Sequence, residues 1–289
     1  MNAVSVMPVA VELGWSISVP VLVYAGLALV LFGQAFARLR ARGRADHAPG
    51  WRLAVFSAGL LLLVLALVSP VSTVGERYLL AGHMLQHVVV ADLAPALLVL
   101  AVSGPLLFFL LPAPVLRLLA RAGPLRGGLR LLLVPWVAIA LWAATIALWH
   151  VPSLYELALR SQLVHDLEHL TFFGAGLLVW YQLLDPARRH GLTRAGRLGF
   201  AVALFAAGQV LAMVLLFSFR PLYSAYAQEP ERLLGLSPLA DQRVAALVMM
   251  AEQTIVLGTL AAWLLLGMRG AGGEIRTYRR GRGRGVPGT

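Results

Sequence analysis

The residues best suited to chemistry are histidines, and five of the seven in the chain stand in related places. His83 and His87, and again His165 and His169, are spaced i and i+4. On an α-helix that spacing puts each pair on one face, about 6 Å apart along the axis, so each pair can grip one metal ion or line one cavity. His150 closes an apolar stretch between the two pairs. The remaining two, His47 and His190, lie among arginines in polar loops, where solvation accounts for them. Glu168 neighbours His169 and follows His165 by three, a position from which it can orient an imidazole or act as a ligand itself. The chain has no cysteine, which excludes disulfides, thiolate metal sites, cysteine nucleophiles and iron–sulfur clusters. Any metal must then be held by His, Met, Asp or Glu.

Other side chains can complete such a site. Met84, Met249 and Met250 fall in apolar stretches; methionine ordinarily fills a core, but its thioether also suits copper(I). Asp166 and Asp241 lie at helix ends, where a ligand role competes with capping and solvation. Asp92 lies about 180° around its helix from His83 and is expected to face elsewhere, forming with Glu252, Gln209 and Gln253 a separate polar contact between helices.

Three chemistries fit these residues. Imidazole with thioether and carboxylate suits copper, and less specifically zinc. A b-type haem held between two histidines on facing helices is the alternative. The run His165-Asp166-Leu167-Glu168-His169 also matches the inverted zinc-protease pattern H-x-x-E-H. A lipid-embedded helix leaves little room for an extended peptide, so the motif lacks its structural context and the chain is not read as an enzyme.

The elements that carry these residues are membrane spans. Of the 289 residues 60% are hydrophobic and only 13% charged, and the mean hydropathy is +0.80. Soluble domains carry about 25% charged residues, so a cytosolic globular enzyme and a disordered chain are both excluded. Seven stretches approach the ~20 apolar residues that a span requires. They run Ile17–Ala37, Trp51–Val68, Leu79–Val102, Leu131–Trp149, Leu163–Leu184, Leu198–Phe219 and Val244–Gly267. The expected fold is all-α, a polytopic bundle of seven transmembrane helices in one domain over 17–268, preceded by an extracytoplasmic N-terminus, 1–16. Residues 269–289 read as a basic, disordered cytoplasmic tail. Leu106–Leu111 is too short to cross and is expected in the interface, and Ser153–Ser161 is a short amphipathic piece.

Arginine placement gives the orientation. All 24 basic residues are Arg, and nineteen of them follow spans one, three, five and seven. The other side holds five, against eight acidic residues from Glu12 to Asp241. Cytoplasmic loops retain positive charge, so the N-terminus is expected outside and the C-terminus inside. Met1–Ser16 lacks a basic n-region and is read as a mature N-terminus rather than a signal peptide. The net charge of +11 is thus a record of topology and not a nucleic-acid footprint. It also gathers the five histidines at the outer face, where ionisable residues in spans are costly and point to function.

The ordered combination of these pieces resembles a known family. Gly82-His83-Met84-Leu85-Gln86-His87 is followed by Leu93-Ala94-Pro95, then His150-Val151-Pro152 with Tyr155, His165 to His169 with Phe172 and Phe173, and Leu239-Ala240-Asp241-Gln242 with Met249. From about span two to span seven this is similar to the membrane-integral CtaG family of cytochrome c oxidase assembly factors, distinct from the single-span copper chaperones that share the name. The resemblance implies a multi-pass protein of the bacterial plasma membrane that supports maturation of a haem–copper oxidase by supplying copper. Its partners would be an oxidase subunit, an extracytoplasmic copper donor and the lipid bilayer. The positions that match are His83, His87, His150, His165, Glu168, His169, Asp241 and Met249. The chain departs from the family where Pro95 is followed by Ala96 rather than a second proline, and where Met250-Ala251-Glu252 replaces a Trp-Pro-containing pattern.

Overall fold

A computed structural model describes residues 14–102, 104–187 and 191–282, with side chains in the last helix described to Met268. His190 and most of the expected N-terminal segment lie outside the described residues. Helices account for the regular structure, and no strand occurs among the described residues. In chain order they are α1 (Val19–Ala41), α2 (Gly50–Val68), α3 (Pro70–Arg77), α4 (Leu80–Val88), a π-helical segment (Val89–Leu93) and α5 (Ala94–Ala101). These are followed by α6 (Pro105–Phe109), α7 (Ala113–Arg121), α8 (Gly123–Leu132), α9 (Pro135–Trp149) and α10 (Pro152–Arg160). The chain closes with α11 (Gln162–Leu184), α12 (Arg194–Phe217), α13 (Ser224–Gln228) and α14 (Pro238–Arg282). Proline in the first turn opens many of them, where its missing N–H would be unpaired in any case.

Five helical stretches are long and apolar enough to cross a membrane: Val19–Ala41, Ala45–Val68, Leu80–Ala101, Arg194–Phe217 and Pro238–Met268. A sixth arises if α8 and α9 are taken as one broken span. That pair is bent by 76°, because Pro135 drives Val134 into extended backbone and ends α8. The stretch expected to begin at Leu131 therefore begins at Pro135, and Leu131 belongs to α8. α11 has 23 residues, but His165, Asp166, Glu168 and His169 dilute the hydropathy of its first turns. Beyond Met268 the backbone of α14 stays helical to Arg282, into the segment expected to be an irregular tail.

Leu80–Ala101 is the central element. In its most apolar window 56% of residues are buried, against 11–39% in the other four stretches. It packs against α2 and α3 on one side and α11 and α14 on the other. Its own Val90 and Ala91 form one apolar cluster with Ala66, Trp149 and Phe172, and three further clusters surround it. One joins α9, α11, α12 and α14 through Trp142, Val179, Leu183, Leu204 and Leu260. A second joins α1 and α2 through Phe32 and Phe56 and includes Leu106, which α6 buries against α1. The third, around Leu80, Met84, Tyr155, Leu215, Tyr223 and Tyr226, encloses the end of the bundle where the histidines gather.

Pro95 shapes the middle of this element. It lacks an N–H, and its ring would clash with the carbonyl of Ala91, four residues earlier. The helix responds by widening over Val89–Leu93, where the Ala94 N–H reaches back to the Val89 carbonyl. The Ala91 carbonyl that is released approaches Gly176 of α11 so closely that a Cβ there would lie 2.1 Å from it. Only glycine permits that contact, and it locks α11 against the widened turn.

Candidate metal centre

Histidines from α4 and α11 meet across the bundle. The His83 and His165 Nε2 atoms are 3.4 Å apart, and His169 lies one turn further along α11, its ring 4.2 Å from that of His165. Two groups of three, His83 with His165 and His169, and His83 with His87 and Glu168, each offer ligand atoms within 4.8 Å of one another. Two imidazole nitrogens 3.4 Å apart would subtend an angle of about 110° at an ion bound at about 2.0–2.1 Å, near the tetrahedral value. His83 belongs to both groups and is fully buried.

Hydrogen bonds set the state of His83. Tyr226 Oη donates to the Gly75 carbonyl at 2.8 Å. Its one proton is thereby used, so its 2.9 Å contact with His83 Nδ1 is a hydrogen bond only with the proton on Nδ1. Nε2 then presents a lone pair towards His165. Tyr155 Oη lies 2.7 Å from the same Nδ1. Burial pushes the Tyr226 phenol well above the ordinary tyrosine range, which keeps it a donor. Gly75 brings this carbonyl in: a Cβ there would lie 2.6 Å from the His83 amide nitrogen. His150 is fixed in the same sense, with Nδ1 2.9 Å from the Ile146 carbonyl and Nε2 left without a partner among the described residues.

The remaining polar atoms are short of partners. Glu168 is fully buried. Both of its oxygens, both ring nitrogens of His87 and Nε2 of His169 lack a hydrogen bond among the described residues. The His87 Nε2 and Glu168 Oε1 atoms are 3.7 Å apart. Buried polar groups are nearly always paired, since an unmet one costs about 1–3 kcal/mol, so orphaned nitrogens and carboxylate oxygens converging on one point fit a cation.

Other expected residues have different tasks. Asp241 accepts from the Leu80 and Ala81 amides at 2.7 and 3.0 Å, capping the first turn of α4 from α14. Asp166 accepts from Gln162 on an exposed face. Met84 and Met249 border a cavity of about 50 Å³ below the histidines, together with His87 and His150. Asp92 lines this same cavity with His87, though not with His83, from which it was expected to face away. His87 and Asp92 would be about 140° apart on a regular α-helix, at about 100° per residue. In the π-helical turn i and i+5 share a face. The expected contact of Asp92 with Glu252 is present, Trp180 Nε1 donates to Asp92, and Gln209 donates to Gln253.

Sequence reasoning missed Glu76 and Tyr226. Glu76 of α3 approaches His165 Nε2 to 3.9 Å and is held by Ser72 and Gln86; the only signal was an acidic residue in the segment just before α4. Tyr226 comes from the 218–237 connection, which Gln242 ties down through the Leu222 amide and the Leu215 carbonyl. Glu156 of α10 anchors the same connection by accepting from Ser224, whose hydroxyl holds the carboxyl below the usual range.

No curated protein and no solved structure gives a significant match to the chain. A family model does, over residues 30–270, which takes in α2 through α13, the histidines of α4 and α11, and the span of α14. A match across that length establishes descent: the chain belongs to the cytochrome c oxidase caa3 assembly factor family (Caa3_CtaG).

Proposed function

We propose that this chain is a seven-span protein of the bacterial plasma membrane that holds copper as cargo at the His83, His165 and His169 centre and passes it to a subunit of a haem–copper oxidase. The observation that carries the reading is the convergence of buried imidazole nitrogens and the Glu168 carboxylate that lack other partners. A donor set of nitrogen and carboxylate with methionine nearby suits copper. Two groups that share His83 offer more ligands than a copper(I) ion takes, which allows one ligand to replace another during hand-off. The protein is a carrier and not an enzyme: nothing is transformed in this step, and the copper leaves as it came. The family supplies the destination, oxidase assembly.

Seven spans follow if the bent pair counts once and α11 is added. Its 23 residues extend about 35 Å, enough for a hydrocarbon core of about 30 Å. The arginine bias supports an external N-terminus and a cytoplasmic C-terminus, which puts the histidines on the outer side. Haem is the weaker reading, because imidazole nitrogens 3.4 Å apart leave room for an ion and none for a porphyrin plane.

Copper content of the purified protein tests this. Wild type is expected to retain copper after desalting, and His83→Ala/His87→Ala to lose most of it. Equal copper in both, or a Soret band in wild type that the variant lacks, would overturn the copper reading.

A further inference from the structure

Beside the histidine centre lies a second set of candidate ligands that shares only His87 with the groups described above. The cavity there is lined by His87, His150, Met84, Met249, Asp92 and Glu252 among others. His150 is 8% exposed and His87 4%. The His150 Nδ1 proton is committed to the Ile146 carbonyl, so Nε2 carries a lone pair, and that atom has no partner among the described residues. Neither ring nitrogen of His87 makes a hydrogen bond there, and Nε2 lies 3.7 Å from Glu168 Oε1. The two rings are 6.3 Å apart between centroids. That is near the greatest separation at which one nitrogen of each can reach a shared ion at about 2.0–2.1 Å, with the two nitrogens almost opposite one another across it, an arrangement that copper(I) accepts. Met84 and Met249 line the same space, and thioethers are soft, polarisable donors.

We propose a second cation site in this cavity, selective for copper(I), formed by His87, His150, Met84 and Met249, with Asp92 and Glu252 supplying the opposing charge. It rests on the copper reading above and adds to it a deeper and softer station. Neutral imidazole and thioether ligands leave the charge of a monovalent ion uncompensated, and an uncompensated charge in a lipid-enclosed cavity is expensive. Asp92 answers that need only because the π-helical turn brings it onto the face of His87. Sulfur ligation favours the monovalent over the divalent ion, so the two centres differ in chemistry as well as depth: imidazole and carboxylate in one, imidazole and thioether in the other.

The test is X-ray absorption at the copper edge on full-length protein in detergent, loaded with copper(I) alone under reducing conditions, with bound copper counted. Wild type is expected to hold about two equivalents with sulfur scattering in the spectrum, and Met84→Leu/Met249→Leu about one equivalent with nitrogen and oxygen scattering only. Asp92→Asn is expected to keep the sulfur signal but weaken retention at that site by about tenfold. The wild-type spectrum decides even if a variant fails to fold. Nitrogen and oxygen scattering alone in wild type overturns the second site and leaves the first intact. Absence of bound copper overturns both.

Discussion

At the scale of single residues, His83 is the best supported side chain in the molecule. Its ring is held by two tyrosine hydroxyls, one of them anchored on the Gly75 carbonyl, so the protonated nitrogen faces the protein and the free one faces His165. Partners that fix a metal-binding histidine typically change affinity by about 10–100-fold when removed. Tyr226→Phe removes the hydroxyl that bridges His83 to the Gly75 carbonyl, and copper affinity measured against a competing chelator should fall within that range. An unchanged affinity would mean that Tyr226 packs without orienting. The pairing of His83 with His87 and of His165 with His169 could be read from sequence, because i,i+4 spacing has one meaning on a helix. The parts played by Tyr226 and Glu76 could not, since both come from connections whose path depends on tertiary contacts such as Gln242 with Leu222 and Glu156 with Ser224.

At the scale of elements, one proline accounts for the largest departure from expectation. Counting residues at the α period turned Asp92 away from His83, and a regular helix would set it about 140° from His87 as well. Pro95 instead produces the π-helical turn, and Asp92 joins the cavity. The proline was visible in the sequence, but whether it would kink, break or widen the helix depends on what packs against it. Here Gly176 of α11 accepts the protruding Ala91 carbonyl. Gly176→Ala forces a Cβ into that carbonyl and is expected to cost about 1–3 kcal/mol, as overpacking does elsewhere. Thermal unfolding in detergent should show a lower midpoint than wild type; an unshifted midpoint would mean that α11 can move without loss. Pro135 had a similar effect on a smaller scale, ending α8 and moving the start of the fourth stretch from Leu131 to Pro135.

At the scale of the whole molecule, the positive-inside pattern of the sequence assigns arginine and the five clustered histidines to opposite sides. Composition alone identified a helical membrane protein, and the helices agree, with five or six stretches that qualify as spans on length and apolar content. α11 falls short because its first turns hold His165, Asp166, Glu168 and His169: the residues proposed as ligands also lower the hydropathy of the helix. The absence of cysteine makes topology directly measurable. Single cysteines at Ser161 and at Arg126 should react with a membrane-impermeant thiol reagent from opposite sides, Ser161→Cys in intact cells and Arg126→Cys only after the membrane is opened. Labelling of both from one side would refute the seven-span arrangement. The central claim is that copper moves from this protein to an oxidase subunit, and the most direct measurement is transfer itself. Purified protein loaded with copper is mixed with the copper-free subunit, the two are separated, and copper in each is counted. The account predicts that copper leaves wild-type protein for the subunit and that His83→Ala/His87→Ala, carrying little copper, delivers little. Copper that stays wholly with the loaded wild-type protein would contradict it.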